Sequence, residues 1–363
     1  MFTDDISRKA EVVVTTIYED IERDLMDQFV ADILEGREAD DIASWRARKL
    51  SELRVYSRTW RRTLDEAVAR RSDDIDKAIR EGLVEASDAD DDIFRRIYDD
   101  VTRGASTEAF SRRLDLAVRQ CHEHMNLTNT QAVAQLQDTF TRAVNDVYIR
   151  VLTGVETVDG AIRRACHEVA SRGAVVTYVT DSGRSISYPM DAAVRRNIMT
   201  TLVQTAAQST VDRNGEYGND LVQVSAHFGA RPSHAVWQGK VYSLTGRTKG
   251  YSLLSEATGY GTAEGLCGIN CRHTFWPYFA GFSKEEQRKA GLVENREQYE
   301  AQQKQRWFER EVRRYKREIR AARQTGDDQR LPQIQKRYKA RLAQYEAFLA
   351  ETGLTRFRER EIA

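Results

Sequence analysis

The chain has 363 residues, and its 56 lysines and arginines balance its 56 aspartates and glutamates. This neutral balance gives no whole-chain argument for nucleic-acid binding, and no run approaches the roughly 18 apolar residues that a membrane span requires. The N-terminal segment is acidic and lacks an apolar stretch, so no signal peptide is predicted. We expect a protein made in a cytoplasm, without membrane contact during folding, that stays in solution or joins an assembly.

Charge is distributed unevenly along the chain. Residues 1–110 hold 28 acidic and 18 basic residues, whereas residues 284–363 hold 14 acidic and 21 basic residues. Such asymmetry can orient a protein between two partners. Solvated faces of charged helices are the simpler explanation, and we favour it.

Residues 1–172 are predicted to be helical. Apolar residues recur every four positions from Val13 to Phe29, which is the pattern of an amphipathic helix. The acidic run at 87–92 is interpreted as the start of a separate helix, because carboxylates favour helix N-termini. The other helices of this region are predicted at 41–69, 75–83, about 106–122, 128–152 and 158–171.

The pattern changes after Gly173. A β-branched run, turn residues at 181–183 and an alternating run predict a β-hairpin at 174–188. A packing helix at 190–211 and a strand at 221–228 are predicted to follow. The rest of this segment, to residue 283, is rich in glycine and aromatic residues, so we expect ordered loops or short strands there.

The C-terminal segment is again helical in pattern. A capping box at 283–286 predicts the start of a helix, and a break at 324–328 separates two apolar stripes. We therefore expect a basic helical hairpin over 284–353, with residues 354–363 frayed. The predicted fold class is α+β and predominantly helical. Its expected parts are a helical docking region at 1–172, a compact mixed module at 173–283 and the C-terminal helical hairpin at 284–363.

A short cysteine and histidine cluster could bind a metal. Cys267, Cys271 and His273 are zinc-ligand types, and His234 or His227 could supply a fourth ligand. The spacing differs from the usual two-residue gap of structural zinc sites. We favour the alternative that these are small buried thiols beside a hydrogen-bonded histidine. No disulfide framework and no cofactor are therefore predicted.

Two arginines and two histidines in the same region could form a catalytic site. Histidine can act as a general acid or base near neutral pH, and arginine can stabilise a phosphate-centred transition state. The candidates for an RNase-like or DNA-processing activity are Arg231, His234, Arg272 and His273. No glycine-rich phosphate loop or pair of catalytic carboxylates accompanies them, so we favour a structural network of loop contacts.

Basic residues are concentrated along the first C-terminal helix, with Trp307 and Tyr315 interleaved. Lysine and arginine contacts to phosphates give salt-dependent DNA binding without sequence preference. A DNA-binding accessory role is thus a second alternative, and a charged outer face of the hairpin is the simpler one. The run consists of Arg310, Arg313, Arg314, Lys316, Arg317, Arg320 and Arg323.

The segment from 231 to 282 resembles the phage minor capsid protein 2 family. The resemblance rests on RPSHAVWQGKVY at 231–242, TGYG at 258–261, GLCGINCRH at 265–273 and FWPYF at 275–279. Cys267 stands at a position that is commonly glycine in the family, which argues against a family-wide metal ligand there. The motif residues expected to be structural are Arg231, His234, Trp237, Gly239, Cys271, Arg272 and His273.

The resemblance implies a minor structural protein of a phage or prophage head. The layout is also similar to that of portal-associated head morphogenesis proteins, with a helical front half and a compact Cys/His-containing module. Such proteins associate with portal and capsid proteins, lie inside the head or at the portal vertex, and act in head assembly or in DNA packaging and delivery. An enzymatic role is not implied. The protein would pass through the bacterial cytoplasm during assembly.

Overall fold

The computed structural model describes residues 4–36, 41–179, 183–283 and 291–362. In these ranges the chain forms ten α-helices and five short strands, which confirms the predominantly helical α+β class. None of the described helices is both long enough and apolar enough to span a membrane. The helices are α1 (Asp4–Leu34), α2 (Ile42–Arg70), α3 (Ser72–Phe94), α4 (Glu108–Leu152), α5 (Val158–Arg172), α6 (Met190–Glu216), α7 (Pro232–Ala235), α8 (Leu254–Thr258), α9 (Leu292–Thr325) and α10 (Leu331–Thr352). The strands are β1 (Val175–Val179), β2 (Ser185–Pro189), β3 (Leu221–Val224), β4 (Val241–Ser243) and β5 (Phe275–Pro277).

The strands form two small antiparallel sheets. The β1–β2 pair, in which Val176 lies opposite Tyr188, confirms the predicted hairpin, although most of its predicted turn, 181–182, lies outside the described residues. The second sheet has the order β4-β3-β5, with Val222 opposite both Tyr242 and Pro277. The predicted strand at 221–228 ends early, at Val224. Beyond it, the Ser225 amide donates to the Thr274 carbonyl at 2.9 Å, and the His227 amide donates to the side chain of Gln238 at 3.1 Å.

Packing divides the chain into two compact units. Unit 1 comprises Met1–Val14, Asp73–His124 and Arg195–Gln303. Unit 2 comprises Thr15–Ser72, Met125–Val194 and Lys304–Ala363. Each unit takes residues from all three segments expected from the sequence, and the organisation into domains at 1–172, 173–283 and 284–363 stays a prediction.

The core of unit 1 surrounds the three-stranded sheet. It joins α6, the sheet and the loop-rich segment, and removal of this apolar surface from water is the main force that holds loops with little regular structure. Its buried members are Val203, Ala207, Val222, Val224, Trp237, Tyr242, Leu254, Leu266, Cys267, Cys271 and Phe275.

Unit 2 is built on helix packing through aromatic side chains. Phe29 of α1 stacks on Trp60 of α2, with ring centroids 5.1 Å apart, and both rings contact Phe140 of α4. The predicted C-terminal helical pair is present as α9 and α10, whose Phe308 and Tyr345 rings stack at 5.3 Å. The capping box predicted at 283–286 lies, beyond Ser283, outside the described residues.

Two predicted helix boundaries are wrong. The acidic run 87–92 lies inside α3, and α4 continues without a break between the helices expected at 106–122 and 128–152. The acidic run does not mark a helix start because its carboxylates have partners within unit 1. Arg213 donates to Asp91 at 2.5 Å, and the Thr210 hydroxyl donates to Asp90.

The last residues are not frayed, in contrast to the prediction for 354–363. Arg356 donates twice to the buried carboxylate of Glu361, at 2.6 and 2.7 Å. The Lys316 ammonium donates to the Glu361 carbonyl at 2.6 Å. The described end of the chain, to residue 362, is therefore tied to α9 by charge-assisted hydrogen bonds, which exceed neutral ones in strength.

Two glycines allow a close backbone approach in the loop-rich segment of unit 1. A Cβ atom on Gly265 would lie 2.0 Å from the Gly259 carbonyl oxygen, and one on Gly268 would lie 2.5 Å from the Ala263 oxygen. Both obstacles are backbone atoms, which cannot rotate away as a side chain could. Any larger residue must therefore displace the turn that carries Cys267.

A buried carboxyl group in unit 2 lacks hydrogen-bond donors. Among the described residues, none donates a hydrogen bond to Glu19, whose nearest cation is the Arg313 guanidinium at 3.8 Å. That guanidinium donates instead to Asp191, at 2.8 Å. Burial, with the neighbouring Asp191 carboxylate, raises the pKa of Glu19 to about 9.

We expect Gly265→Ala to lower the free energy of unfolding by about 1–3 kcal/mol or more, because the added methyl group overlaps backbone. Denaturant unfolding of the purified chain measures this. Gly215→Ala is the matched control: Gly215 lies within α6 with open space around its Cβ position, so alanine should stabilise by about 0.5–1 kcal/mol through helix propensity. Equal effects of the two substitutions would contradict the close approach.

We expect Glu19→Gln to stabilise the chain increasingly as pH rises. The folded pKa of Glu19 lies above its unfolded value, so its contribution is fully present below about pH 4 and is lost as pH rises toward the folded pKa. Glutamine keeps the neutral shape at every pH. The gain relative to wild type should grow from near zero at about pH 5 to on the order of 1–3 kcal/mol at about pH 9.

Thermal unfolding across this pH range checks the prediction, with Glu66→Gln as a control that removes an exposed charge from unit 2. A gain from Glu19→Gln that does not change with pH would show that the buried carboxyl does not titrate as argued.

Candidate functional site

The candidate metal ligands and candidate catalytic residues lie in unit 1, where short elements hold them in place. Pro232 begins α7, since a proline needs no hydrogen-bond partner in the first helical turn, and α7 carries His234. The opposite wall is the stretch before β5, which carries Cys271 and His273. Asp220, next to β3, accepts hydrogen bonds from Ser243, Thr245 and Thr248 and so fixes the loop that follows β4.

Three of the predicted metal-ligand candidates converge. The Cys271 sulfur lies 3.6 Å from Nδ1 of His234 and 3.7 Å from Nδ1 of His273. The three potential ligand atoms lie within 4.8 Å of one another, and all three residues are buried. We call this group the Cys271 cluster.

The outer nitrogens of both histidines have defined partners. Nε2 of His234 donates to the Glu264 carbonyl at 2.9 Å, and Nε2 of His273 donates to Oε1 of Gln238 at 3.2 Å. The same Gln238 oxygen accepts from the His227 amide at 3.1 Å. Gln238 was not among the predicted site residues, although it lies in the family motif between Trp237 and Gly239.

Burial decides the charge of the cluster. Loss of water lowers the pKa of His234, and it holds the pKa of His273 well below the ordinary value, with His227 and His234 adding to the effect. Burial also raises the pKa of the Cys271 thiol. Both imidazoles are therefore neutral at neutral pH, so neither is charged for use as a general acid.

Cys267 and His227 lie beside the cluster and do not belong to it. The Cys267 sulfur is directed at the His273 carbonyl oxygen, 3.6 Å away. Its backbone has φ 58°, in the left-handed region that favours glycine. The His227 ring stacks on that of His273, with centroids 4.2 Å apart. Of the predicted zinc candidates, Cys271 and His273 thus meet His234, whereas Cys267 does not join them.

The two arginines of the catalytic hypothesis bind different parts of unit 1. Arg231 donates to the carbonyls of Ile269 and Asn270, at 3.0 Å each, and so holds the loop before Cys271. Arg272 lies 3.8 Å from Glu11 in a partly exposed position. The structure therefore brings the two histidines together, but it gives the two guanidinium groups separate partners.

Two further motif residues support the same loops. The Trp237 ring is buried, with its centroid 4.7 Å from that of each cluster histidine. Gly239 has φ 73°, and its amide donates to Val224 of β3. The structural role expected for these motif residues stays a prediction that this packing favours.

The basic residues of α9 are largely engaged inside unit 2. Five of the seven residues in the predicted DNA-binding run bind carboxylates or carbonyls of their own chain. The Arg314 guanidinium also lies over the Tyr315 ring, 4.3 Å from its centroid. These contacts leave less positive charge for phosphates. The engaged residues and their partners are Arg313 with Asp191, Arg314 with Glu311 and Glu318, Lys316 with Glu361, Arg317 with Ala170 and Ser171, and Arg320 with Asp27.

The neighbouring pairs Cys121–His122 and Cys166–His167 do not form a comparable group among the described residues. His122 contacts Asp76 at 2.5 Å, and His167 contacts Asp327 at 3.2 Å. Cys121 and Cys166 are buried as thiols.

Comparison with known proteins finds a family match over nearly the whole chain. The family model described as phage minor capsid protein 2 matches residues 3–350. A structural protein of Lactococcus phage LL-H is 25% identical over 307 residues, which is 80% of each chain. A structural protein of Lactococcus phage mv4 is 41% identical over 69 residues, 19% of this chain and 56% of that protein. No solved structure matches the chain.

The match extends far beyond the fifty residues that carry the motifs. It covers the helical regions on both sides, in which the sequence alone shows no recognisable family motif. The resemblance inferred from Arg231 to Phe282 is thereby confirmed. The chain belongs to the phage minor capsid protein 2 family.

Proposed function

We propose that this phage minor capsid protein is a low-copy structural component that associates with the portal inside the head and acts in head assembly or in DNA packaging and delivery. One observation carries the structural role. The polar groups that could have been catalytic are held by loop contacts, with both cluster histidines donating inward and Arg231 bound to two carbonyls. Such a module suits a rigid scaffold that presents its outer surface to other proteins.

The alternative of an RNase-like enzyme has less support. Its four candidate residues do not share one open pocket, since His234 and His273 are buried and Arg272 lies toward Glu11. A general acid or base must reach the proton that it transfers. The buried, neutral imidazoles instead favour a role in holding the fold.

An apolar surface marks where a head protein could dock in the helical region. Ile149 and Leu152, in the last turn of α4, and Val155, three residues after the helix ends, are 55%, 64% and 65% exposed. We call these three residues the α4 end patch. Grouped exposed apolar side chains mark protein interaction sites more often than chance exposure does. The patch falls in the 1–172 region expected to dock to portal or capsid subunits, and we assign it to the portal.

The contacts of α9 favour a protein partner over DNA. A DNA-binding surface needs several lysines or arginines that can neutralise phosphates. Most of the α9 run already binds carboxylates and carbonyls in unit 2, as described above. We therefore attribute attachment in the head to apolar docking rather than to the basic helices.

We expect Leu152→Glu, introduced into the phage genome, to lower the number of copies per head by about fivefold or more, because a buried charge at the centre of an interface is strongly unfavourable. Quantitative mass spectrometry of purified heads measures the copy number, and co-purification with the portal measures attachment. Leu127→Glu is the matched control, since Leu127 is 53% exposed on the same helix and lies outside the patch.

Portal attachment through this surface predicts that Leu127→Glu heads keep the wild-type copy number. Equal incorporation of both variants would contradict docking through the α4 end patch. If wild-type heads contain the protein but it does not co-purify with the portal, the portal is not its partner.

A further inference from the structure

We propose that the Cys271 cluster is a zinc site in which the Cys271 sulfur and the Nδ1 atoms of His234 and His273 are the protein ligands. The sequence alone favoured buried thiols without a metal. The geometry reverses that preference, because His234, Cys271 and His273 converge. This set differs from Cys267, Cys271 and His273, which are the residues that lie close together in the sequence. A mixed nitrogen and sulfur donor set in tetrahedral arrangement is typical of zinc.

The ligand distances fit one ion. In a tetrahedral zinc site, bonds of about 2.3 Å to sulfur and about 2.0–2.1 Å to nitrogen separate the two donor atoms by about 3.6 Å. The Cys271 sulfur lies 3.6 and 3.7 Å from the two imidazole nitrogens. Both sulfur–nitrogen separations therefore already match those of a coordinated zinc ion, and all three donor atoms lie within 4.8 Å of one another.

Hydrogen bonding directs both nitrogen lone pairs at the sulfur. A carbonyl oxygen can only accept, so the contact with Glu264 places the proton of His234 on Nε2. Gln238 Oε1 also accepts from the His227 amide, which identifies that atom as oxygen and places the His273 proton on Nε2. Ligating histidines commonly donate their outer nitrogen in this way, which orients the ring and fixes the tautomer.

A thiol alone leaves this arrangement incompletely paired. Cys271 has one S–H, and two Nδ1 lone pairs face it, so at most one imidazole can accept from it. A buried acceptor without a donor is unfavourable. A zinc ion bound to the thiolate satisfies the sulfur and both nitrogens at once, with the thiol proton released to solvent on binding.

Three protein ligands leave the fourth coordination position to a water molecule. Cys267 is not assigned to it, since its sulfur is directed at the His273 carbonyl and lies outside the group of converging ligand atoms. The site would tie α7 to the loop before β5. Neither segment has much regular secondary structure. The ion would therefore connect two segments that no strand pairing joins.

The test uses the full-length chain, loaded with Zn²⁺ and separately with Co²⁺ as a spectroscopic probe. We expect one equivalent of zinc per chain by elemental analysis. With cobalt we expect thiolate-to-cobalt charge transfer together with the intense visible bands of a tetrahedral ion. Removal of zinc by a chelator should lower the unfolding temperature. Wild-type protein that binds neither metal stoichiometrically, or cobalt without the thiolate band, would overturn the proposal.

Paired cysteine variants test the ligand assignment. Cys271→Ala should abolish the charge-transfer band and stoichiometric binding, and His234→Ala should weaken binding at least about tenfold. Cys267→Ala is the matched control, because Cys267 is an equally buried thiol four residues away, and it should retain one equivalent. Loss of metal from the Cys267 variant as well would overturn the three-ligand assignment. The wild-type cobalt spectrum remains decisive if a ligand variant fails to fold.

Discussion

The loop-rich part of unit 1 depends on side chains that bind backbone groups which no helix or sheet pairs. Buried backbone amides and carbonyls must have partners, and a segment with few regular elements cannot supply them by itself. Gln238 accepts a hydrogen bond from the His227 amide, Arg231 donates to two carbonyls, and Asp220 accepts from the Thr245 amide in the loop after β4. This requirement accounts for the many polar side chains in the family motif. Close backbone approaches at Gly265 and Gly268 further leave no room for a side chain there.

The sequence predicts the helical framework well because burial on one helix face leaves a periodic signal. The stripe from Val13 to Phe29, the hairpin near 174–188 and the paired C-terminal helices are present as expected. The errors occur where tertiary partners override local chemistry. Acidic residues that would start a helix in isolation lie inside α3, since Arg213 and Thr210 bind them from α6. The described end of the chain, to residue 362, is held in a similar way, because Glu361 accepts hydrogen bonds from nearby Arg356 and from distant Lys316.

The candidate site could be predicted in its residue types but not in its membership. Cys271 and His273 are close in sequence, so their proximity is expected. His234 is 37 residues from Cys271, and only the tertiary fold brings the two together. Cys267 has the chemistry of a ligand and lies near the others in sequence, yet its backbone is in the left-handed region and its sulfur is directed at the His273 carbonyl. The tautomers depend on Glu264 and Gln238, whose role only the three-dimensional contacts reveal.

The internal pairing of α9 has an electrostatic consequence. A helix whose guanidinium groups are bound by carboxylates of the same chain projects only a weak field, because opposite charges a few ångströms apart cancel beyond about one Debye length. Neither DNA nor an acidic protein surface would then steer this helix from a distance. Docking of this helix would then depend on shape and apolar contact at short range, and it would change little with ionic strength.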